Sequence, residues 1–212
     1  GADFSILDRE DTIKNIKNMK KKFASANTLP SIYLIHGDLT IEQMSHLYNN
    51  PKIKCFISCT HGEGFGRPLL EASCCGLPVI ASKWSGHLDF LNEKGSMLIE
   101  GHLKEVPEGQ IWKPIIVKPS KWFNPTEADV IRKIRMFHKK HSIFIKKGKR
   151  LGKKNHREFS LDKMAIKFNS ILDNVLKQIP SAMSLKLPKL KKADTKKPQN
   201  ATIKLPKLKK VT

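Results

Sequence analysis

No apolar run in this chain of 212 residues approaches the roughly 18–20 residues that a membrane-spanning helix needs. Its first thirty residues alternate charged and apolar side chains, so no signal peptide is expected. Cysteine is scarce. The four present, Cys55, Cys59, Cys74 and Cys75, show no CxxC spacing and sit among apolar neighbours. That excludes a secreted disulfide scaffold and leaves buried free thiols in a reducing compartment. Hydrophobic residues make up 39% of the chain, below the ~45–50% usual for a globular domain. A compact core then requires that part of the chain lie outside it, and the length suits one domain with an appendage.

Negative charge is also in short supply, with 19 Asp and Glu against 40 Lys and Arg and a formal net charge of +21. The excess is confined to the back of the chain. Residues 1–130 carry 15 basic and 15 acidic side chains; residues 131–180 carry 15 basic against Glu158, Asp162 and Asp173. Residues 181–212 add ten lysines against Asp194 alone. The neutral front is expected to hold the chemistry and the basic back to make attachments.

The chain starts at Gly1 rather than a methionine, so this end is expected to be a cut end. From Arg9 to Ala24, Ile13, Ile16, Met19 and Phe23 share one face at helical spacing. The β-forming run Ser31–His36 follows as a first strand, and Asp38 or Thr40 caps a helix carrying Ile41, Met44, Leu47 and Tyr48. A second strand reads Ile53–Ser58. The Gly62–Gly66 turn leads into a helix with Pro68 in its first turn. A third strand starts at Val79, Ser85-Gly86 opens a short helix, and Met97–Ile99 is a fourth strand. Strands alternating with helices through short connections give βαβ units and a mostly parallel sheet. Residues 100–125 read as an excursion with one strand at Ile115–Val117, followed by helices over 126–140, 142–156 and 161–178. Beyond Pro180, Leu185–Lys192 recurs as Ile203–Lys210, a basic low-complexity tail whose prolines forbid a continuous helix.

The stretch from Ser58 to Glu71 carries the most information. A strand end, a Gly-rich turn and a helix start put backbone N–H groups and a helix dipole over one sheet edge, a geometry that favours an anion. The dinucleotide fingerprint fails because the third glycine position counted from Gly64 and Gly66 is Leu69, and no Gly-Lys-Ser/Thr follows for a P-loop. Nicotinamide and ATP enzymes are therefore disfavoured. Two glutamates seven residues apart remain, Glu63 in the turn and Glu71, read as lying on the first turn of the helix. A carboxylate there suits the dipole and can accept two ribose hydroxyls at once. By spacing alone, the pair reads equally well as a helix-stabilising Glu71 and a solvated Glu63.

Glu63-Gly-Phe-Gly-Arg-Pro-Leu-Leu-Glu71-Ala, followed by Gly76-Leu-Pro-Val-Ile-Ala81 and Ser85-Gly86, resembles the nucleotide-sugar-binding half of retaining GT-B glycosyltransferases of the family-4 (group 1) type. The Ile35–Met44 lead-in is similar too, and the likeness is close over residues 30–100. It implies that Glu71 binds the donor ribose and that Glu63, the catalytic candidate, lies beside the sugar hydroxyls. Gly64, Phe65, Gly66 and Arg67 would face the sugar and diphosphate, and Gly37, Leu39 and Thr40 would border the base. His61, just before the turn, is a candidate contact to sugar or acceptor. The resemblance implies a UDP- or GDP-sugar substrate, with no cofactor and no metal. It also implies departures. The Arg and Lys that usually hold the diphosphate have no counterpart, with Arg67 and Lys83 the nearest substitutes, and the acceptor-binding N-terminal domain is missing. A partner chain or a longer protein would supply it, and this chain alone is expected to be weak or inactive.

His36, His61 and His87 fit no zinc spacing, Trp112 and Trp122 read as packing residues or as an aromatic platform for a sugar, and the cysteines lack a triad setting. The expected architecture is α/β, a Rossmann-like parallel sheet with flanking helices over residues 1–125, lacking its first strand. A helical extension over 126–179 packs on it, and 180–212 forms a basic tail. The nucleotide-sugar donor is the expected partner. An anionic membrane surface is a candidate, and specific nucleic-acid recognition is not expected. A cytoplasmic protein, peripheral to a membrane where that surface is used, fits these expectations. Competing readings are a noncatalytic nucleotide-sugar module, an epimerase or phosphorylase of the same architecture, and a polyanion- or membrane-surface-binding module.

Overall fold

The computed structural model describes residues 6–23 and 29–178. In chain order the elements are α1 (Ile6–Lys22), α2 (Ile41–Asn49), β1 (Phe56–Ser58), α3 (Arg67–Cys74), β2 (Val79–Ser82), β3 (Met97–Ile99), β4 (Gly101–Glu105), β5 (Lys121–Pro125), α4 (Glu127–Glu158) and α5 (Leu161–Gln178). A 3-10 turn at Gly86–Asp89 joins β2 to the segment before β3. β1, β2 and β3 form a parallel sheet in that order, with Ile57 opposite Ile80 and Ala81 opposite Leu98. The fold is the α/β, Rossmann-like arrangement that the alternation of strands and helices calls for.

Alternation along the strands assigns the two faces of the sheet. Val79 and Ala81 of β2 join Leu98 of β3 on one face, packed with Leu69, Phe90, Leu91 and Leu151. Ile80, Met97 and Ile99 turn to the other face and meet Phe137, Val130, Met136 and Phe144. Every residue of β2 is buried, as expected for a central parallel strand covered on both sides. α2 closes one flank through Tyr48, which packs with Ala72 and Leu77.

One helix serves both faces. The expected helices over 126–140 and 142–156 join as α4, with a non-helical residue at Lys140 (φ −127°, ψ 28°). Its first half places Phe137 on one face and its second half places Leu151 on the other. Two glycines one turn apart let the second half seat on the end of α3. A Cβ on Gly152 would lie 2.4 Å from the Ser73 carbonyl oxygen, and one on Gly148 would lie 3.0 Å from that of Gly76. About one turn past Gly152, buried Asn155 donates through Nδ2 to Ser73 Oγ at 2.8 Å.

Three expectations need correction. Residues 31–36 form no strand, and Tyr33 is 88% exposed. No described strand lies beside them, so their backbone has no ladder to join, and local β-propensity does not substitute for one. Over residues 100–125 the strands are β4 and β5, an antiparallel pair with Leu103 opposite Phe123. Ile115–Val117 makes no strand, only an isolated bridge from Trp112 to Ile116. Pro114 and Pro119 bracket that run and remove ladder donors. Cys59 is exposed, because the chain has already left the sheet there, while Cys55, Cys74 and Cys75 are half-buried free thiols.

Among the described residues the chain divides within α5, after Phe168. Ile171, Leu172, Val175 and Leu176 of α5 are exposed. No helix among the described residues is long and apolar enough to cross a membrane. The repeated tail beyond Pro180 lies outside the described residues.

Candidate functional site

The turn between β1 and α3 is fixed from beneath and from the side. Gly66 occupies the N-cap of α3 in the left-handed region (φ 86°, ψ 51°), which an L side chain enters only with strain. A Cβ there would lie 3.1 Å from the Cβ of His87. His87 is fully buried; its Nε2 stands 2.6 Å from the Ser82 carbonyl, which can only accept, so the proton sits on Nε2. Its Nδ1 is buried without a partner. This histidine supports the turn from the core side.

Ser85 and Gly86 clasp the same turn. Ser85 Oγ donates to the Glu63 carbonyl at 2.7 Å, and the Glu63 N–H donates back to Ser85 Oγ at 3.2 Å. The Gly86 N–H donates to that carbonyl at 3.0 Å. Ser85 adopts φ 84°, a conformation costly for a non-glycine residue and sustained here by these bonds. The backbone of Glu63 is therefore held while its side chain, half-buried, makes no hydrogen bond or ion pair among the described residues.

Glu71 needs a correction. α3 begins at Arg67, which puts Glu71 in the second turn, with no acidic residue in the first. The helix dipole acts mainly within the first turn, so it does not account for this carboxylate. Glu71 instead pairs with Arg67 Nε at 3.2 Å, across one helical turn, with the Arg67 side chain 84% exposed. Behind it stands Tyr48 of α2, whose phenol pKa is raised by burial and by the nearby Glu71 charge.

The hairpin of β4 and β5 reaches the turn from the far side. His61 Nδ1 lies 2.7 Å from the Phe123 carbonyl, and the Phe123 N–H donates to the His61 carbonyl at 3.2 Å. The carbonyl can only accept, so Nδ1 is the donor. The imidazole stacks on Trp122 at 4.9 Å and 14°, and Trp84 stacks on Phe123 at 6.2 Å and 6°. Phe65, 39% exposed, leans on Phe90 and Phe159.

The structure thus brings Glu63, Gly64 and Gly66 together with Ser85, Gly86 and His87, with Arg67 and Glu71 one turn along α3. Gly37, Leu39 and Thr40 sit at the start of α2, with no hydrogen bond to the turn among the described residues. There Thr40 Oγ1 accepts from the Gln43 N–H and Gln43 Oε1 accepts from the Thr40 N–H, a capping box. Lys83 is committed elsewhere: it pairs with Glu93 at 2.6 Å and Glu100 at 2.8 Å, and these carboxylates hold its pKa up. No group of His, Cys, Asp or Glu able to hold a metal occurs among the described residues. Partial burial pushes the Cys55, Cys74 and Cys75 thiols above their ordinary pKa. Sequence reasoning missed the clasp of His61 by Phe123, since no local signal links positions 62 residues apart.

Residues 13–106 match the family model described as Glycosyl transferases group 1. Among solved structures, Anabaena Alr3699/HepE in complex with UDP and glucose is similar in fold, with a TM-score of 0.50 at 13% identity. The match covers 82% of this chain and 38% of that one, so this chain spans well under half of its length. No curated protein matches.

Proposed function

We propose, from the match of residues 13–106 to the model for Glycosyl transferases group 1 and from the Rossmann-like fold, that this chain is the donor-binding half of a retaining sugar transferase. Its substrate is a UDP- or GDP-linked sugar, and the presence of UDP and glucose in the structurally similar HepE supports a nucleotide site of this kind. The observation that carries the proposal is the clasped turn: a rigid Glu63 backbone, an open α3 N-terminus and Glu71 one turn beyond.

In this reading the Glu71 carboxylate accepts the two ribose hydroxyls, exchanging its solvent-exposed pairing with Arg67 for charge-assisted hydrogen bonds. Release from that pair is cheap, since exposed helical ion pairs contribute about 0.3–0.5 kcal/mol. Glu63 lies beside the sugar hydroxyls, and the N–H groups of Gly64–Arg67 face the diphosphate. Charge on the departing diphosphate is met by oriented donors, without a metal. No water needs activation, so the two glutamates are not a glycosidase acid and nucleophile.

Among the described residues Lys83 is held by Glu93 and Glu100, and Arg67 is released only as Glu71 turns to the ribose, so the turn is poor in ready cations. This chain is therefore expected to bind donor weakly and transfer little by itself, with an acceptor domain supplied from elsewhere. The same observation favours a second reading, a nucleotide-sugar-binding module without catalysis. Calorimetric titration of UDP, GDP, UDP-glucose and GDP-mannose tests the shared premise. One nucleotide should bind selectively, and Glu71→Ala should weaken it by about tenfold or more. Binding that ignores Glu71 refutes the donor-site assignment, and transfer to an acceptor by the full chain separates the two readings.

A further inference from the structure

A basic feature lies at the end of the sheet opposite the glycine-rich turn. The Gly62–Gly66 turn leaves β1 at its C-terminal end, whereas the Asn92–Ser96 segment enters β3 at its N-terminal end. β1 and β3 both run parallel to β2, so these segments sit at opposite edges. Between the Asn92–Gly95 loop and α4 is an open cleft of about 440 Å³, floored by Leu151 and rimmed by Lys94, Lys147, Arg150 and Lys154.

The cleft is built by close packing. A Cβ on Gly95 would lie 2.7 Å from the Cβ of Leu151, so only glycine lets the loop rest directly on the helix. Asn92 Oδ1 accepts from the N–H groups of both Lys94 and Gly95, which shapes the loop and fixes where the Lys94 side chain leaves it. Residues 147, 150 and 154 share one face of α4 at helical spacing. The loop thus brings a fourth cation to a row of three.

None of these four has an ion-pair partner among the described residues. Glu93, the neighbour of Lys94, is bound to Lys83 instead. Lys147 stands over the Phe144 ring at 5.5 Å. Four unneutralised cations around one cleft repel each other, and an anion of matching charge removes that repulsion. Arginine supplies a planar fork that fits two phosphate oxygens, and lysines supply point charges.

We propose that the cleft between the Asn92–Gly95 loop and α4 is a binding site for a compact oligophosphate group, held by Lys94, Lys147, Arg150 and Lys154. The group belongs to a free oligophosphate or to a phosphorylated lipid headgroup. The site is separate from the nucleotide-sugar turn and does not depend on that reading.

The test uses the full chain and inorganic tripolyphosphate, with calorimetry at two salt concentrations. Saturable binding of one tripolyphosphate is expected, and Arg150→Gln with Lys154→Gln should weaken it by about tenfold or more. The doublet Lys139→Gln with Lys140→Gln removes equal charge from α4 outside the cleft and should change it by less than about twofold. All four side chains are exposed, so a matching thermal melt is expected for both doublets. Absence of saturable binding overturns the proposal, as does equal weakening by the two doublets, which would mark diffuse attraction to lysines. Vesicles of phosphatidylcholine with and without phosphatidylinositol bisphosphate then assign the source. Sedimentation with the phosphorylated vesicles, competed by tripolyphosphate and lost in Arg150→Gln/Lys154→Gln, identifies a headgroup. Tripolyphosphate binding without sedimentation identifies a free ligand.

Discussion

Gly86→Ala tests whether the clasp holds the glycine-rich turn. An added Cβ would lie 2.0 Å from the Gly64 carbonyl oxygen and 3.0 Å from that of Glu63. Carbon and carbonyl oxygen approach to about 3.3–3.6 Å, so one backbone must retreat by roughly 1.3 Å or more. The obstruction is backbone on both sides, so no rotamer change relieves it. Retreat breaks the Gly86 N–H bond to Glu63 at 3.0 Å and disturbs the Ser85 pair at 2.7 and 3.2 Å. Overpacking costs about 1–3 kcal/mol, and a lost hydrogen bond adds about 1 kcal/mol. The expected loss is therefore roughly 2–4 kcal/mol, a large part of a stability of order 5–15 kcal/mol. Thermal and urea unfolding followed by circular dichroism reads this, with Tm falling by roughly 10 °C. Gly64→Ala is the control, because a Cβ there meets nothing within 4 Å. It should stay within about 0.5 kcal/mol of the parent. An unchanged melt for Gly86→Ala, or equal losses for both, would refute the argument that this contact fixes the turn.

Two further predictions concern the surroundings of the site. His61→Ala and Trp122→Ala should each destabilise the chain, and their double-mutant cycle should show coupling of about 0.5–1.5 kcal/mol from the 4.9 Å stack; strictly additive effects on urea unfolding would contradict the clasp. Asp129 is buried, which opposes its charge, but the Glu100 N–H at 2.8 Å and the Arg132 guanidinium outweigh burial and hold its pKa below the ordinary range. An unfolded chain therefore takes up this proton first. The stabilisation is full above the unfolded pKa of about 3.9 and is lost as pH falls through the lower folded value. Urea midpoints measured downward from neutral pH should show this acid loss in the parent and not in Asp129→Asn; parallel profiles would refute it.

The lysine–carboxylate pairs show how chain-local reasoning reaches its limit. Lys83 presents as a free cation near the turn, yet its partners stand ten and seventeen residues ahead, delivered by the path into and out of β3. Arg67 and Glu71 are different. Their separation of four residues places them side by side on any helix that contains both, so the pair is legible once the helix start is known. What displaced Glu71 from the first turn was the start of α3 at Arg67, set by the left-handed Gly66.

The amino-acid sequence by itself determined the α/β class, the positions of α2, α3, β2 and β3, the break near residue 140 and the glycine-rich turn. These features follow from short-range rules: side-chain periodicity, the missing N–H of proline, the left-handed freedom of glycine and the Thr40 cap. Tertiary structure alone decided that residues 31–36 stay irregular, that Leu103 pairs with Phe123, and that His61 is clasped by a strand 62 residues away. A strand exists only where another backbone lies alongside to take its N–H and C=O groups. Propensity can propose such a segment, but the neighbour that completes it is chosen by the fold.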